Sequence, residues 1–214
     1  MPKPGEHKTV QSRILHYARE IGWAFIPREE AEQRRGFNPS APTPDAAALG
    51  ASLYFDGLLH AKVREFNPRY TEDAATVLSS LRHAQPTIQG NRDLLTLLRN
   101  QATFFCPEEN RELDLNVIDY ADPARNVYEV TEEFAVNNGK YCNREDIVFL
   151  VNGIPVLVIE CKNANKDEAI ALGIDQIRRY HNETPEMLVP EMLYTATEAI
   201  GFSYGVTWNL ARRN

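Results

Sequence analysis

The chain has 214 residues, enough for one sizeable hydrophobic core. Its 43% hydrophobic and 25% charged residues are typical of an ordinary soluble globular protein. The formal net charge of −7 argues against a stand-alone duplex-binding module, which is usually basic because phosphate contacts dominate nucleic-acid affinity.

Neither the start of the chain nor its cysteines indicate export. No apolar run approaches the length of a membrane span, and residues 1–6 lack the apolar core of a signal peptide. The cysteines are odd in number and form no C-x-x-C pair, which argues against a disulfide framework and a zinc site: Cys106, Cys142 and Cys161. We therefore expect reduced thiols, a cytoplasmic location and no membrane partner.

The first half of the chain carries mainly helical patterns. Residues 9–21 form an apolar stripe that predicts a helix ended by Gly22, with a short strand over 23–26. The stripe consists of Val10, Ile14, Tyr17 and Ile21. Residues 36–46 contain Gly36 and three prolines, which predicts a flexible, irregular loop.

Three more helices are predicted over 49–66, 71–84 and 91–103, separated by turn-forming residues. The side chains expected in the core are apolar residues of these helices: Leu53, Leu58, Val63, Val77, Leu78, Leu81, Leu94, Leu95 and Leu98.

The second half changes to strand patterns. Residues 127–134 alternate with a period of two, and the β-branched runs 146–151 and 155–160 flank Asn152-Gly153, a strong hairpin signal. A helix is predicted over 166–181 from the stripe Ile170, Ile174 and Ile177, with Asn165 and Glu168 close to a capping box.

Strands predicted over 192–197 and 201–206 complete this half. The strand–helix–strand order predicts a right-handed parallel crossover. The sequence therefore predicts an α/β domain with a central mixed sheet flanked by helices.

Charged residues at the ends of the hairpin are candidates for a site. Glu160 and Lys162 lie two residues apart at a strand end, so their side chains share a face, whereas Cys161 points to the other. A two-residue turn would put Asp146 and Glu160 on opposite faces. A three-residue turn, or a bulge that corrects the register, would put them on the same face. The sequence permits both arrangements, and only the second makes a site.

Two carboxylates and a lysine on one face suit metal-dependent hydrolysis. Asp146 and Glu160 would supply oxygen ligands to a Mg²⁺ ion that keeps several waters and takes substrate phosphate. Lys162 would orient the water or stabilise the developing charge. Such charges are also common at solvated strand ends, and the spacing alone does not distinguish the two interpretations.

The run from Arg144 to Asn163, with Asp146 and Glu160-Cys161-Lys162, resembles the PD-(D/E)xK nuclease signature. In more detail it resembles the N-terminal nuclease domain of the restriction (motor, HsdR) subunit of type I restriction–modification enzymes. That family carries a Q-x-x-x-Y motif on the next helix, which Gln176 and Tyr180 match. Glu145 stands where the family usually has proline. Because proline there shapes the backbone rather than the metal ligands, this departure concerns how the strand begins and not the chemistry.

The resemblance implies a Mg²⁺-dependent endonuclease that cuts double-stranded DNA in a complex with modification and specificity subunits. Residues 1–214 would be one nuclease domain at the N-terminus of a longer subunit. The sequence has no G-x-x-x-x-G-K-[ST] phosphate loop, so only motor domains elsewhere would need ATP. Gln176 and Tyr180 would steady the site or touch the DNA backbone.

Weaker candidates and other functions remain open. Glu20 on the first helix could be an extra carboxylate of the site, although an exposed helical glutamate is the simpler interpretation. The pairs 34–35, 178–179 and 212–213 are arginines that could meet phosphates, although such pairs usually lie on a solvated surface. The alternatives to catalysis by a restriction subunit are a non-catalytic docking domain and a repair or junction nuclease of the same fold.

Overall fold

A six-stranded mixed sheet organises the molecule. The computed structural model describes residues 10–71, 76, 79, 81, 83–163, 168–198 and 200–208. The sheet strands are β1 (Ala24–Phe25), β4 (Tyr128–Asn137), β5 (Cys142–Val151), β6 (Ile154–Cys161), β7 (Leu193–Thr197) and β8 (Phe202–Val206), in the order β1-β4-β5-β6-β7-β8. The β1–β4 and β6–β7 pairs are parallel and the others are antiparallel. The predicted α/β class, mixed sheet and parallel crossover are confirmed.

The helices and a second hairpin surround this sheet. They are α1 (Ser12–Glu20), α2 (Arg28–Arg34), α3 (Pro44–Ala47), α4 (Asp56–Phe66), α5 (Ile88–Leu98) and α6 (Ala169–Glu183). The two-stranded antiparallel sheet joins β2 (Thr103–Cys106) to β3 (Arg111–Asp114). Within the described ranges, no helix is long and apolar enough to span a membrane.

Each part of the sheet buries its own apolar cluster. Helix α1 packs Leu15 and Ala18 against one face, where they meet Ile147 and Cys161. Helix α6 covers the other face, with Ile177 and Tyr180 against strands β5 and β6; Val148, Leu150 and Val158 lie beneath them. Helices α4 and α5 and the β2–β3 hairpin form a third cluster around the β5–β6 turn.

The β5–β6 turn has two residues, with Asn152 and Gly153 both at positive φ, and Val151 pairs with Ile154. The three-residue turn considered above is therefore wrong. The register instead shifts at Val156, which has no partner between Pro155 and Leu157. Because of this bulge, the side chains of β6 after Val156 point to the faces opposite to those that an uninterrupted pairing would give them.

Three predicted helix boundaries were wrong, for reasons of tertiary contact. Helix α4 begins at Asp56 because the preceding backbone bonds elsewhere: Ser52 N donates to Arg35 O, and Phe55 N donates to Gly153 O. The helix predicted over 91–103 begins at Ile88, capped by Thr87, and ends at Leu98. Residues 103–106 form β2 instead.

The predicted stripe of residues 9–21 is confirmed at its start and wrong towards its end. Val10 is buried and Ile14 packs against the same cluster as Leu15 and Ala18. Tyr17 and Ile21 are 60% and 75% exposed, and the buried positions are Leu15 and Ala18. Gly22, at φ 98°, turns the chain back into β1 just after the helix, so only the face carrying Leu15 and Ala18 meets the sheet.

The remaining predictions for the first half have mixed outcomes. Leu95 is partly exposed rather than core. The helix predicted over 71–84 lies mostly outside the described residues, together with Val77 and Leu78, but Leu81 is buried. The predicted capping residue Asn165 also lies outside them, and Glu168 makes no side-chain cap. The 36–46 segment is irregular up to the short helix α3.

The side-chain alternation of β4 and β5 breaks where the two strands face each other at Glu133 and Asp146. Cα pairing runs from Glu132–Ile147 to Phe134–Glu145, and Glu133 has a left-handed φ of 56°. Val130 accordingly packs on the α1 side, whereas Phe134 packs on the α6 side. The period-two pattern predicted over 127–134 therefore reverses within the strand.

Candidate active site

The bulge at Val156 brings the predicted trio together. Below it, Ile147 pairs with Ile159, and one further step of this register sets Asp146 opposite Glu160. Glu160 lies on the α6 side of the sheet, because its neighbour Cys161 packs on the α1 side. Asp146, Glu160 and Lys162 thus share one face, as the sequence required for a site.

Short contacts join the three side chains. Lys162 Nζ lies 2.6 Å from Glu160 Oε1 and 3.9 Å from Asp146 Oδ2. It also donates to the Cys161 carbonyl oxygen at 2.9 Å. The Cys161 amide donates to Asp146 Oδ2 at 2.7 Å, which ties the strand carrying Asp146 to the end of β6.

The electrostatics of the site favour the binding of a cation. Glu160 is fully buried, and this burial, followed by the charge of Asp146, raises its pKa well above the ordinary range. Burial also raises the pKa of Asp146, although the Cys161 amide and Lys162 oppose the change. Two carboxylates held side by side out of water are stabilised by a nearby positive charge. Lys162 supplies only part of it.

Helix α6 fixes the inner wall of the site. Tyr180 Oη donates to the Arg144 carbonyl oxygen at 2.6 Å and lies 3.4 Å from Glu160 Oε2. Gln176 Nε2 donates to Tyr180 Oη at 2.6 Å. The Q-x-x-x-Y pair is therefore next to the trio and contacts it through the tyrosine hydroxyl.

Gly173 allows this close approach. A Cβ at this position would lie 2.9 Å from the Cβ of Ala196 on β7 and 3.6 Å from Cγ of Lys162. Gly173, Ile177 and Tyr180 line the buried side of α6, whereas Ile170 and Ile174 are only partly buried. Of the predicted isoleucine stripe, Ile177 therefore lies in the centre of the contact, and Ile170 and Ile174 lie at its edge.

Three further carboxylates lie beside the trio, and no sequence pattern predicted them there. Glu133 lies opposite Asp146 and contributes to raising the pKa of that residue. Glu145 and Glu191 are fully buried, and their carboxyl groups contact each other but form no hydrogen bond to any other described residue. The glutamate at position 145, where the family usually has proline, could have drawn attention to the Glu145–Glu191 pair. No local sequence pattern, however, predicted that these two side chains are buried.

The structure does not bring Glu20 to the trio. Its side chain is exposed on α1, 3.4 Å from His16, and α1 packs on the face opposite Glu160. The first basic pair is not solvated either. Arg34 bonds to Glu129 at 2.9 and 3.1 Å, and Arg35 is buried against the carbonyl oxygens of Ser52 and Ala135.

The donor set of the trio fits a magnesium ion. Among the described residues, no group of three or more carboxylate, imidazole or thiolate side chains is arranged to hold a metal. Mg²⁺ needs no such cage, since it commonly takes one or two carboxylates and completes its shell with water and substrate phosphate. Asp146 and Glu160 offer those oxygens, and the raised pKa of both shows that their charges are poorly compensated.

The mixed sheet flanked by helices, with Asp146 opposite Glu160 and Lys162 beside it, is compatible with a restriction-endonuclease-like fold. The family model described as "Type I restriction enzyme R protein N terminus" matches residues 3–206. The chain belongs to this family.

A curated relative agrees with this assignment. The chain is 30% identical over 99 residues to the protein described as the MjaVIIP type I restriction enzyme endonuclease subunit of Methanocaldococcus jannaschii. The match covers 42% of this chain and 9% of that protein. The chain therefore corresponds to a small part of the length of this relative.

Proposed function

We propose that this domain is a Mg²⁺-dependent endonuclease that hydrolyses phosphodiester bonds of double-stranded DNA. The observation that carries the proposal is the placement of the Asp146 and Glu160 carboxylates side by side, with Lys162 Nζ 2.6 Å from Glu160. Membership of the restriction-subunit family supports the choice of DNA as substrate.

Each residue of the trio has a distinct task in this proposal. Asp146 and Glu160 hold the metal, which, when bound, supplies a polarised water and offsets charge on the phosphate. Lys162 keeps the Glu160 carboxylate in place and presents a positive charge to the phosphorus oxygens. Tyr180 fixes the strand of Asp146 against Glu160 through the Arg144 carbonyl oxygen, and Gln176 orients its hydroxyl.

We further propose that the domain works within a type I restriction–modification enzyme, with modification and specificity subunits as partners. Its sequence holds no G-x-x-x-x-G-K-[ST] phosphate loop, so ATP would be used by motor domains of the same enzyme. With a net charge of −7, the domain alone should bind duplex DNA weakly, and other parts of the complex should hold the substrate.

The test separates cleavage from the motor. In the intact subunit assembled with its partners, Asp146→Ala, Glu160→Ala and Lys162→Ala should each lower the rate of DNA cleavage by roughly a thousandfold. ATP hydrolysis should persist, because the motor does not depend on the trio. Glu112→Ala, an exposed change in β3 away from the trio, is the matched control and should leave both activities intact.

Cleavage that survives all three changes would refute the assignment and favour the non-catalytic docking domain. Loss of ATP hydrolysis together with persistent cutting would contradict the division of labour between the domain and the motor.

A further inference from the structure

The trio lies in an acidic environment that opposes its substrate. Asp146, Glu160 and Glu133 place negative charge next to the position that a DNA phosphate must reach. Lys162 is already engaged by Glu160 Oε1 and the Cys161 carbonyl oxygen. The proposed metal ion offsets charge only at the phosphate that it binds. A neighbouring backbone phosphate needs a positive charge of its own, because like charges at short distance repel strongly outside bulk water.

Arg144 is held at the site by its backbone. It lies two residues before Asp146 on β5, and its carbonyl oxygen accepts the Tyr180 hydroxyl at 2.6 Å. The same hydroxyl lies 3.4 Å from Glu160 Oε2. The position of Arg144 along the strand is thereby fixed relative to both carboxylates of the trio.

The side chain of Arg144 is only loosely engaged. Its guanidinium lies 3.5 Å from Glu133 Oε2 and 3.7 Å from Asp45 Oδ1, beyond the 2.7–2.9 Å that is typical of charge-assisted hydrogen bonds. Within the described part of the chain, it makes no side-chain hydrogen bond that meets ordinary distance and angle criteria. The side chain is 32% exposed, so its donors remain accessible to a ligand.

Other arginines of the molecule are committed more tightly. Arg34 forms a bidentate pair with Glu129 at 2.9 and 3.1 Å, and Arg35 donates to two buried carbonyl oxygens. Arg178 donates to Asp175 at 2.7 Å on its own helix. Arg179 pairs as loosely with Glu183, at 3.5 Å. Arg144 combines exposure and long ion-pair distances with a backbone that is bonded directly to the Tyr180 hydroxyl beside Glu160.

We propose that Arg144 binds a backbone phosphate of the DNA next to the scissile bond. This inference rests on the proposed nuclease function and adds a substrate contact to it. In the free domain, the guanidinium lies between Asp45 and Glu133, whose charge acts on Asp146. On DNA binding, a phosphate replaces the two carboxylates and accepts two hydrogen bonds from the planar guanidinium. Arg144 is thus a catalytic residue that touches the substrate, rather than a support for the sheet.

The test measures DNA binding apart from cutting. The 214-residue chain carrying Asp146→Asn is titrated with a short duplex at low ionic strength and then at rising salt. Adding Arg144→Gln should weaken binding roughly tenfold and reduce the slope of log K against log salt by about one. Arg144→Lys keeps the positive charge but loses the bidentate guanidinium. The salt slope should therefore stay unchanged, and the affinity should fall by less than in Arg144→Gln.

The matched control is Arg125→Gln. Arg125 also lies between two carboxylates, with Asp119 at 2.8 Å and Glu65 at 3.2 Å, but it packs beside Phe66 of α4 in the region around the β5–β6 turn. It should leave affinity and salt slope unchanged. An equal loss in both variants would mean that only long-range electrostatics is at work and would overturn the proposal. An unchanged slope in Arg144→Gln would overturn it as well.

The remaining outcomes separate this inference from the function on which it rests. If Arg144→Gln fails to fold, Arg144→Lys decides, since unchanged affinity in that variant refutes a bidentate contact. If the chain alone binds duplex too weakly to titrate, the same variants are compared in the intact subunit assembled with its partners, where equal affinity of Arg144→Gln and the parent would overturn the phosphate contact. Normal cleavage by Asp146→Ala, with the Arg144 effect on binding intact, would refute the proposed catalytic trio while the phosphate contact stands.

Discussion

The two ends of the β5–β6 hairpin bury polar groups in opposite ways. At the turn end, the buried groups are asparagine amides with full sets of partners. Asn152 bonds to the Val127 amide, the Val117 carbonyl oxygen and the Asn126 side chain. At the site end, they are ionisable groups, and the carboxyl groups of Glu145 and Glu191 have only each other as hydrogen-bonding partners among the described residues.

This difference separates a part of the molecule that favours stability from the part that carries the proposed active site. A satisfied buried amide costs little and fixes the turn, whereas a buried, poorly paired carboxyl group costs stability. Strained and incompletely satisfied groups are usually tolerated where a ligand or a reaction needs them. The contrast predicts that changes at the turn end alter stability and that changes at the site end alter chemistry.

The largest stability effect is expected at the turn end. Leu59 is fully buried in the cluster around the turn, so Leu59→Ala should lower the free energy of unfolding by about 2–5 kcal/mol. Urea denaturation measures this loss. Below the unfolding transition, Mg²⁺ binding and cleavage should remain close to those of the parent chain.

Glu160→Gln is the counterpart at the site end. It should lower the free energy of unfolding only slightly, because it removes a buried charge. It should, however, abolish the increase in the free energy of unfolding that bound Mg²⁺ gives the parent chain. A large loss of stability in Glu160→Gln, equal to that of Leu59→Ala, would contradict the separation of the two ends.

A smaller effect that couples stability to the site is expected at Gly173. In Gly173→Ala, the new methyl group would meet Ala196 and press on Lys162, so α6 must move away from the sheet. Overpacking of this kind should cost about 1–3 kcal/mol and should also slow cleavage, because Lys162 shifts with the helix. Thermal unfolding and cleavage rates measure the two consequences.

Gly57 is the matched control for Gly173. It lies in α4, and nothing within 4 Å would meet a Cβ there. Gly57→Ala should therefore stabilise the chain by about 0.4–1 kcal/mol and leave cleavage unchanged. Equal behaviour of the two alanine variants would show that α6 does not need the close contact.

A further effect is expected in how the free energy of unfolding changes with pH. Burial, followed by the neighbouring charge of Glu160, raises the pKa of Glu191 to about 8. An unfolded glutamate titrates near 4.3, so the folded chain binds more protons between these values. The contribution of Glu191 to stability should therefore fall as pH rises from about 4.3 through about 8, by at most ~1.4 kcal/mol per pH unit.

Glu191→Gln should reduce this slope, and the raised pKa of Glu145 should leave a residual one. Chemical denaturation at several pH values measures both. The exposed change Glu112→Gln should keep the parent slope. Identical slopes in the parent and Glu191→Gln would mean that Glu191 titrates normally in the folded chain.

Much of the second half of the fold could be predicted from the sequence. The Asn-Gly turn, the apolar runs that flank it and the strand–helix–strand order are local signals, and the structure confirms each. The first half was predicted less well. Helix α4 starts late because the backbone before it bonds to residues far away in the sequence. Strand β2 replaces a helical end because it pairs with the neighbouring strand β3, which no predicted pattern revealed.

By itself, the sequence determined which residues form the trio and which motif they match, because side-chain chemistry and spacing along the chain are local properties. It left the register of the hairpin open. Only the tertiary structure decided that the two-residue turn is followed by a bulge at Val156, which sets Asp146 opposite Glu160. Register depends on which side chains pack on each face of the sheet, and the clusters around α1, α6 and the turn together fix that choice.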